Sequence, residues 1–449
     1  MRTLCFLLSL LISTHASSWS NHTLVTHQLL ATLPQVRDAA PVEVESLESF
    51  LLANEQALEA FLDQQEQWMQ KNLWHYAPRP QDLAFKATGS KDDIRTRFAH
   101  GIRVNPNTKW PLYLQLLPGE KRASPPIKPQ SVSTLKSFDH LVSVQLVQLQ
   151  PGDKASAIDI VTTAADEPDH GLDIGLFTDS NTDYGKIYGF GKQPFGNPNL
   201  EYGTQAPFHM GFYHESSLLY ALGGFLKQTY PEYRIQSFKQ LSEFAFRQGH
   251  DYWGWRFMGW GLHYLSDFSN PYHVMPVPGN NTMTTLWVGL KNLIGFPEGQ
   301  KQAIQLASNR HTVLEDFQSQ VMSQAYEEKN LQHPTIQALT RQTAARVYED
   351  DHIVTVISQQ AYDKAHDIHK VLEQTMPKKY VDDPAVEYSE LNAKSSLQAT
   401  VLKTSGEDGY NKLIAIITDL LGGFSENGAS YVEAILSVNT LQKDQARVD

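Results

Sequence analysis

Two histidine–carboxylate pairs stand at four-residue spacing in this chain: His263 with Asp267, and His311 with Glu315. On a helix, residues four apart share a face about one turn apart, so each pair would aim an imidazole nitrogen and a carboxylate oxygen at one point. His273 follows the Asn270-Pro271 step, where proline disfavours helical geometry at the residue before it, and the resulting turn swings His273 back towards the same place. H-x-x-x-D-x-x-x-x-x-H and H-x-x-x-E bring together ligand types suited to a borderline metal such as zinc. A single such pair is common on solvated helix faces. Two pairs, with a histidine just past a helix-ending proline, favour a metal site over unrelated surface residues.

The elements that must position these groups are mostly helical. Trp253, Phe257, Trp260 and Tyr264 repeat at three- and four-residue spacing, the apolar stripe of a buried helix carrying His263 and Asp267. Near the start, Asn21 is a good N-cap, and Leu24, Val25, Leu29 and Leu33 keep helical spacing until Pro34. That helix offers two candidate ligands, His22 in its first turn and His27 five residues on. Val44–Gln70 reads as one strong helix whose glutamates form a solvated face. Residues 70–160 are dense in breakers (Pro78, Pro80, Pro111, Pro118, Pro125, Pro126, Pro129), so loops and short strands are expected there, with one strand over Leu141–Leu149. Asp166, Asp169 and Asp173 follow in the 162–173 stretch, with an acidic turn held by Asx hydrogen bonds as the bland alternative. His209 and His214 flank an aromatic run, and Glu215 could orient an imidazole. The chain continues helical and polar to about Met376. Pro377 and Pro384 then mark a boundary before a short segment with an apolar Leu413–Ile417 run.

Composition sets broad limits. Cys5 to Ile12 is a short apolar run after Arg2, the length of a signal-peptide core and too short to span a bilayer; Ala16 and Ser18 supply the small residues of a cleavage site. Residues 1–18 are therefore expected to be a signal peptide, with Trp19 as the new N-terminus of a secreted protein. The lone cysteine, Cys5, falls in that leader, leaving no disulfides and making metal the alternative source of rigidity. The formal charge of −12 argues against a nucleic-acid footprint. No other stretch reaches the roughly 20 apolar residues of a spanning helix.

With Trp19 followed closely by a histidine-bearing helix, the pattern resembles the bacterial zinc metallophospholipases C, in the superfamily that also holds clostridial α-toxin and the fungal zinc single-strand nucleases. The matching residues are Trp19, His22 (or His27), Asp169 (or Asp166), His209 (or His214), His263, Asp267, His273, His311 and Glu315. The resemblance implies a mainly α, multi-helix zinc-binding catalytic domain over residues 19–376, interrupted by the 70–160 insertion and followed by a 377–449 extension of unknown role. It implies three zinc ions. One would take Asp169, His209, His263 and Asp267; a second His273, His311 and Glu315; a third the Trp19 amine and carbonyl, His22 and a shared Asp267. The implied reaction is zinc-assisted attack of water on a phosphodiester, with Asp169 and Asp267 as its catalytic carboxylates and Asp169 the candidate general base. The implied substrate is a phospholipid at a membrane surface, such as phosphatidylcholine, cut to diacylglycerol and a phosphorylated head group. Phe208, Tyr213, Trp253 and Trp255 are candidates for a cation–π cage around choline. Two other readings are a zinc single-strand nuclease with the same metals, and a non-enzymatic secreted helical protein with structural histidines.

Overall fold

A computed structural model describes residues 21–196, 201–279, 298–341, 347–391 and 396–445. The expected mainly α fold is what it shows, with 61% helix and 3% strand. At its centre lies the Asp251–Asp267 helix, in which every residue from Tyr252 to Asp267 is buried. A helix apolar on all sides belongs inside a protein, and the four aromatics of the stripe, Trp253, Phe257, Trp260 and Tyr264, are fully buried here. The Pro231–Arg247 helix packs alongside it, the Ala157–Ala164 helix crosses another side, and the C-terminal helical segment Leu397–Gln445, kinked at Gly406 into two helices, closes a third.

Glycines inside the central helix let these neighbours come close. A Cβ on Gly259 would lie 2.5 Å from Ala164 Cβ and 2.6 Å from the Val161 carbonyl, and one on Gly261 would lie 1.8 Å from the Tyr431 hydroxyl. Each interior glycine costs about 1 kcal/mol of helix propensity relative to alanine, and here the return is direct packing of two flanking helices.

The first helix runs His22–Thr32, capped as expected by Asn21, whose side chain accepts from the Leu24 amide. Where one helix was expected over Val44–Gln70, two form, Leu47–Ala53 and Glu55–Asn72, meeting at Asn54, whose side-chain amide folds back onto the Phe50 carbonyl (2.8 Å). Its glutamates depart further from expectation. Glu55 accepts from the Thr88 and Gly89 amides, Glu59 from Ala87, and Glu66 from Arg79, so the acidic face clamps the following loop instead of meeting only water.

The strand expected over Leu141–Leu149 is shorter, Gln145–Gln148, because Asp139–Leu141 forms a 3-10 turn; it pairs antiparallel with Tyr113–Leu116. Val42–Glu43 and Lys154–Ala155 make a second two-stranded pair. Phe85, Phe98 and Leu114 from the breaker-dense segment, and Leu413, Ile417, Leu421 and Tyr431 from the C-terminal segment, join the same hydrophobic core as the central helix. No helix among the described residues is long and apolar enough to cross a membrane.

Candidate metal centre

The fold gathers residues from across the chain around the C-terminal half of the central helix. His22 opens the first helix. Asp169 rides the Glu167–His170 3-10 turn, and His209 ends the one-turn Ala206–His209 helix. His263 and Asp267 occupy the last turns of the central helix. His273 sits on the Pro271–Val274 turn, which Asn270 caps through the Tyr272 amide, and His311 with Glu315 lie inside the Glu298–Glu327 helix. Their donor atoms form three buried groups able to hold metal ions: His22, His263 and Asp267; Asp169, His209 and His263; and His273, His311 and Glu315.

Two donors about 2.0–2.1 Å from one tetrahedral ion lie roughly 3.3–3.4 Å apart. His22 Nε2 is 3.5 Å from Asp267 Oδ1 and 3.6 Å from Asp169 Oδ2. His263 Nε2 is 3.6 Å from Asp267 Oδ2, 3.8 Å from Asp169 Oδ1 and 3.2 Å from His209 Nδ1. These separations suit shared coordination better than hydrogen bonding, and His22 Nε2 and Asp267 Oδ1 are fully buried without a hydrogen-bond partner. The third group is drawn tighter, with His311 Nε2 2.6 Å from Glu315 Oε1 and 2.9 Å from His273 Nε2.

The imidazoles are held from behind, in a way that fixes which nitrogen faces the centre. His263 Nδ1 donates to the Ala165 carbonyl (2.8 Å) and His273 Nδ1 to the His209 carbonyl (2.6 Å). Ser266 Oγ donates to the His263 carbonyl and so receives the His22 Nδ1 proton at 2.6 Å. The Nε2 lone pairs of His22, His263 and His273 are thereby turned inward. On the opposite edge of His209, Nε2 is 3.5 Å from Asp173 Oδ2, and Asp173 is itself anchored by Arg234 and Tyr264. Asn270 Nδ2 donates to Glu315 Oε1 (2.9 Å).

Electrostatics follow from burial and crowding. Burial opposes charge on Asp169, but the surrounding imidazoles of His263, His22 and His209 hold its carboxyl below the usual range, and Asp267 is lowered similarly. Burial works against a charged His209, yet Asp173 and Asp267 hold its pKa up at about 10. Burial, aided by the His22 and His209 charges beside it, pushes His263 down to about 3, and burial pushes His311 to about 4. It lifts Glu315 to about 8. The charged carboxylates of Asp169 and Asp267, with the His22 and His263 lone pairs turned towards them, are complementary to a cation.

The structure distinguishes the alternatives left open by sequence. His22 joins the cluster, while His27 packs edge-on against Tyr326 away from it. Asp166 serves as an anchor: Oδ1 takes the His22 backbone N–H (2.8 Å) and Oδ2 the Gln115 side-chain amide (2.7 Å). His209 joins the cluster, whereas His214 bonds Ser358. The carboxylate that orients His209 is Asp173, not Glu215. Trp19 lies outside the described residues. Of the aromatics considered for a choline cage, Phe208, Trp253 and Trp255 are core residues, with Phe208 under the Arg234 guanidinium and Trp253 under that of Arg256, while Tyr213 packs on Phe268.

Several supporting residues escaped the sequence reading. Ser266 and Asn270 sit within the motif itself, where polar residues inside a buried stripe are a usable signal. Gln115 and Arg234 act from distant segments and leave no local signature. Compared with protein-family models, curated proteins and solved structures, the chain matches none of them, so what is inferred of its function rests on the geometry of these buried ligands.

Proposed function

We propose that this chain is a secreted zinc-dependent phosphodiester hydrolase of the phospholipase C type. Its substrate would be a phospholipid such as phosphatidylcholine, cut on the glycerol side to diacylglycerol and a phosphorylated head group. One observation supports this most. Asp267 and Asp169 each turn one oxygen towards His22 and the other towards His263. Carboxylates shared in this way place cations side by side, the arrangement that clamps the attacking and leaving oxygens in phosphoryl transfer. The third group adjoins them through the His273–His209 hydrogen bond.

Imidazole-rich N/O donor sets favour zinc over magnesium or calcium. Asp169, His209, His263 and Asp267 would hold one ion and His273, His311 and Glu315 another; His22, with Asp267 and the Trp19 amine and carbonyl, would hold a third. Zinc in such a site lowers the pKa of water towards neutrality and offsets charge on phosphoryl oxygens. The remaining tasks fall to the chain. Asp169 is the most accessible of the cluster carboxylates, its side chain 8% exposed against 0% for Asp267 and 1% for Glu315. Asp169 would be the candidate to accept the proton of an attacking water, with Gln205 Nε2, 3.2 Å from Oδ1, steadying its carboxylate. Asp173 holds the His209 ring, and Asn270 holds Glu315.

The test is release of phosphocholine from phosphatidylcholine vesicles, before and after chelation and after zinc restoration, beside a single-stranded DNA control. Release lost on chelation and regained with zinc is expected. Cleavage of DNA without lipid would move the chain to the nuclease reading. Neither activity, with no zinc bound, would leave a structural role for the histidines.

A further inference from the structure

The Glu167–His170 turn carries a second histidine beside the Asp169 ligand, and it has no role in the metal groups. His170 is 3% exposed, and neither ring nitrogen has a hydrogen-bond partner. Its main chain, by contrast, is firmly clamped: the His170 carbonyl receives the Thr134 amide (2.9 Å), with the Ser133 and Thr134 hydroxyls each at 3.2 Å. The ring is therefore held in place by its backbone while both of its nitrogens are without a hydrogen-bond partner among the described residues. An imidazole in any protonation state bears at least one N–H, and a buried donor with no acceptor calls for an explanation. The neighbours are polar too. The His140 ring lies 5.6 Å away, centroid to centroid, and His140 Nδ1 is 3.0 Å from the Tyr202 hydroxyl.

We infer that His170, flanked by His140 and Tyr202, forms a subsite for a hydroxyl-bearing head group, so that the substrate is a phosphorylated polyol lipid in preference to a choline lipid. A neutral imidazole presents one donor and one acceptor, and a hydroxyl is the group that answers both. A quaternary ammonium answers neither, and it would leave His170 as unsatisfied as it is without ligand. This inference rests on the proposed phospholipase activity and names its substrate class.

The experiment uses the zinc-loaded full mature chain as wild type, His170→Phe and His170→Gln, each checked for folding by thermal melting. Hydrolysis is followed on vesicles of phosphatidylinositol and of phosphatidylcholine. In parallel, calorimetry measures binding of inositol 1-phosphate and of phosphocholine. Wild type is expected to bind inositol 1-phosphate about tenfold more tightly, the worth of one or two buried hydrogen bonds, with the same preference in kcat/KM. His170→Phe should lower binding and kcat/KM more for the inositol substrate than for the choline substrate and so erase that preference, and His170→Gln, which keeps an amide N–H, should restore part of it. Equal losses on both substrates, an unchanged His170→Phe variant (the ring then meeting only water), or no preference in wild type would each overturn the inference. Binding preference without hydrolysis of either lipid would uphold the subsite and sink the phospholipase reading; hydrolysis without preference would do the reverse.

Discussion

Asp267→Asn is the sharpest perturbation of the centre, because it changes one atom type in a side chain that serves two groups. Asp267 Oδ1 lies 3.5 Å from His22 Nε2; Oδ2 lies 2.9 Å from His209 Nδ1 and 3.6 Å from His263 Nε2. Asparagine fits the same space but has one acceptor oxygen and one NH₂, which cannot bind a metal. Whichever way the amide turns, one cation position loses a ligand, and both lose the negative charge between them. Removing a single group that stabilises a phosphoryl transition state costs about 3–4 kcal/mol, so activity should fall on the order of 10²–10³-fold. The metal count should fall as well, with the His273–His311–Glu315 group, which does not include Asp267, keeping its ion. Atomic absorption on the purified variant reads the count, vesicle hydrolysis reads the activity, and melting with and without added zinc reads the stabilisation by ligand binding. Full zinc content together with full activity would refute the shared-carboxylate centre.

Three further outcomes are expected. Asp173→Asn removes the carboxylate behind His209 and leaves Arg234 buried without its partner; zinc affinity should drop about 10–100-fold, measured by chelator competition, and an unchanged affinity would deny Asp173 its positioning role. Gly261→Ala gains about 1 kcal/mol of helix propensity but drives a methyl into the Tyr431 hydroxyl at 1.8 Å, so overpacking of about 1–3 kcal/mol should prevail. The melting temperature should then fall, with recovery on adding Tyr431→Phe, and a rise in the single variant would show that the packing relaxes freely. For the metal-free protein, His209 at about 10 and Glu315 at about 8 both bind protons more tightly folded than unfolded. Their contribution is fully present below the unfolded values and is lost as pH rises through the folded ones. His263 and His311, lowered to about 3 and 4, have completed their opposite gain by about pH 6.5. Chelated protein should therefore lose stability between about pH 6.5 and 10, while zinc, which needs deprotonated ligands, binds better over that span. A widening gap between the two melting curves is the expected result, and parallel curves would contradict it.

What could be read from sequence was whatever depends on local spacing. His263 with Asp267 and His311 with Glu315 were visible because a helix turns neighbours four apart to one side, and Asn21 marked the first helix because a cap is a local device. Asp169 over Asp166 was decided by partners more than forty residues away: Gln115 and the amide of His22 claim Asp166, and no local pattern announces that. The glutamates of the Glu55–Asn72 helix misled for the same reason, since their partners lie in a loop that begins only after the helix ends. The glycines of the central helix are plain in the sequence. Interior glycines in a buried aromatic helix signal close approach, but which chain approaches is a tertiary fact.

Tyr326 Oη donates to the Leu24 carbonyl (2.9 Å), and His22 meets Ser266, partners 302 and 244 positions apart in sequence. Loop-closure cost grows only slowly with separation, so such distant partners are no obstacle to a firm hold. The first helix is also tied to the Ala157–Ala164 helix, with Thr23 Oγ1 donating to the Thr162 carbonyl (3.2 Å) and the His22 amide to Asp166 (2.8 Å). The Tyr326 hydroxyl is thus one fastening among several. Tyr326→Phe would be expected to loosen the first helix without dispersing the His22 side of the centre.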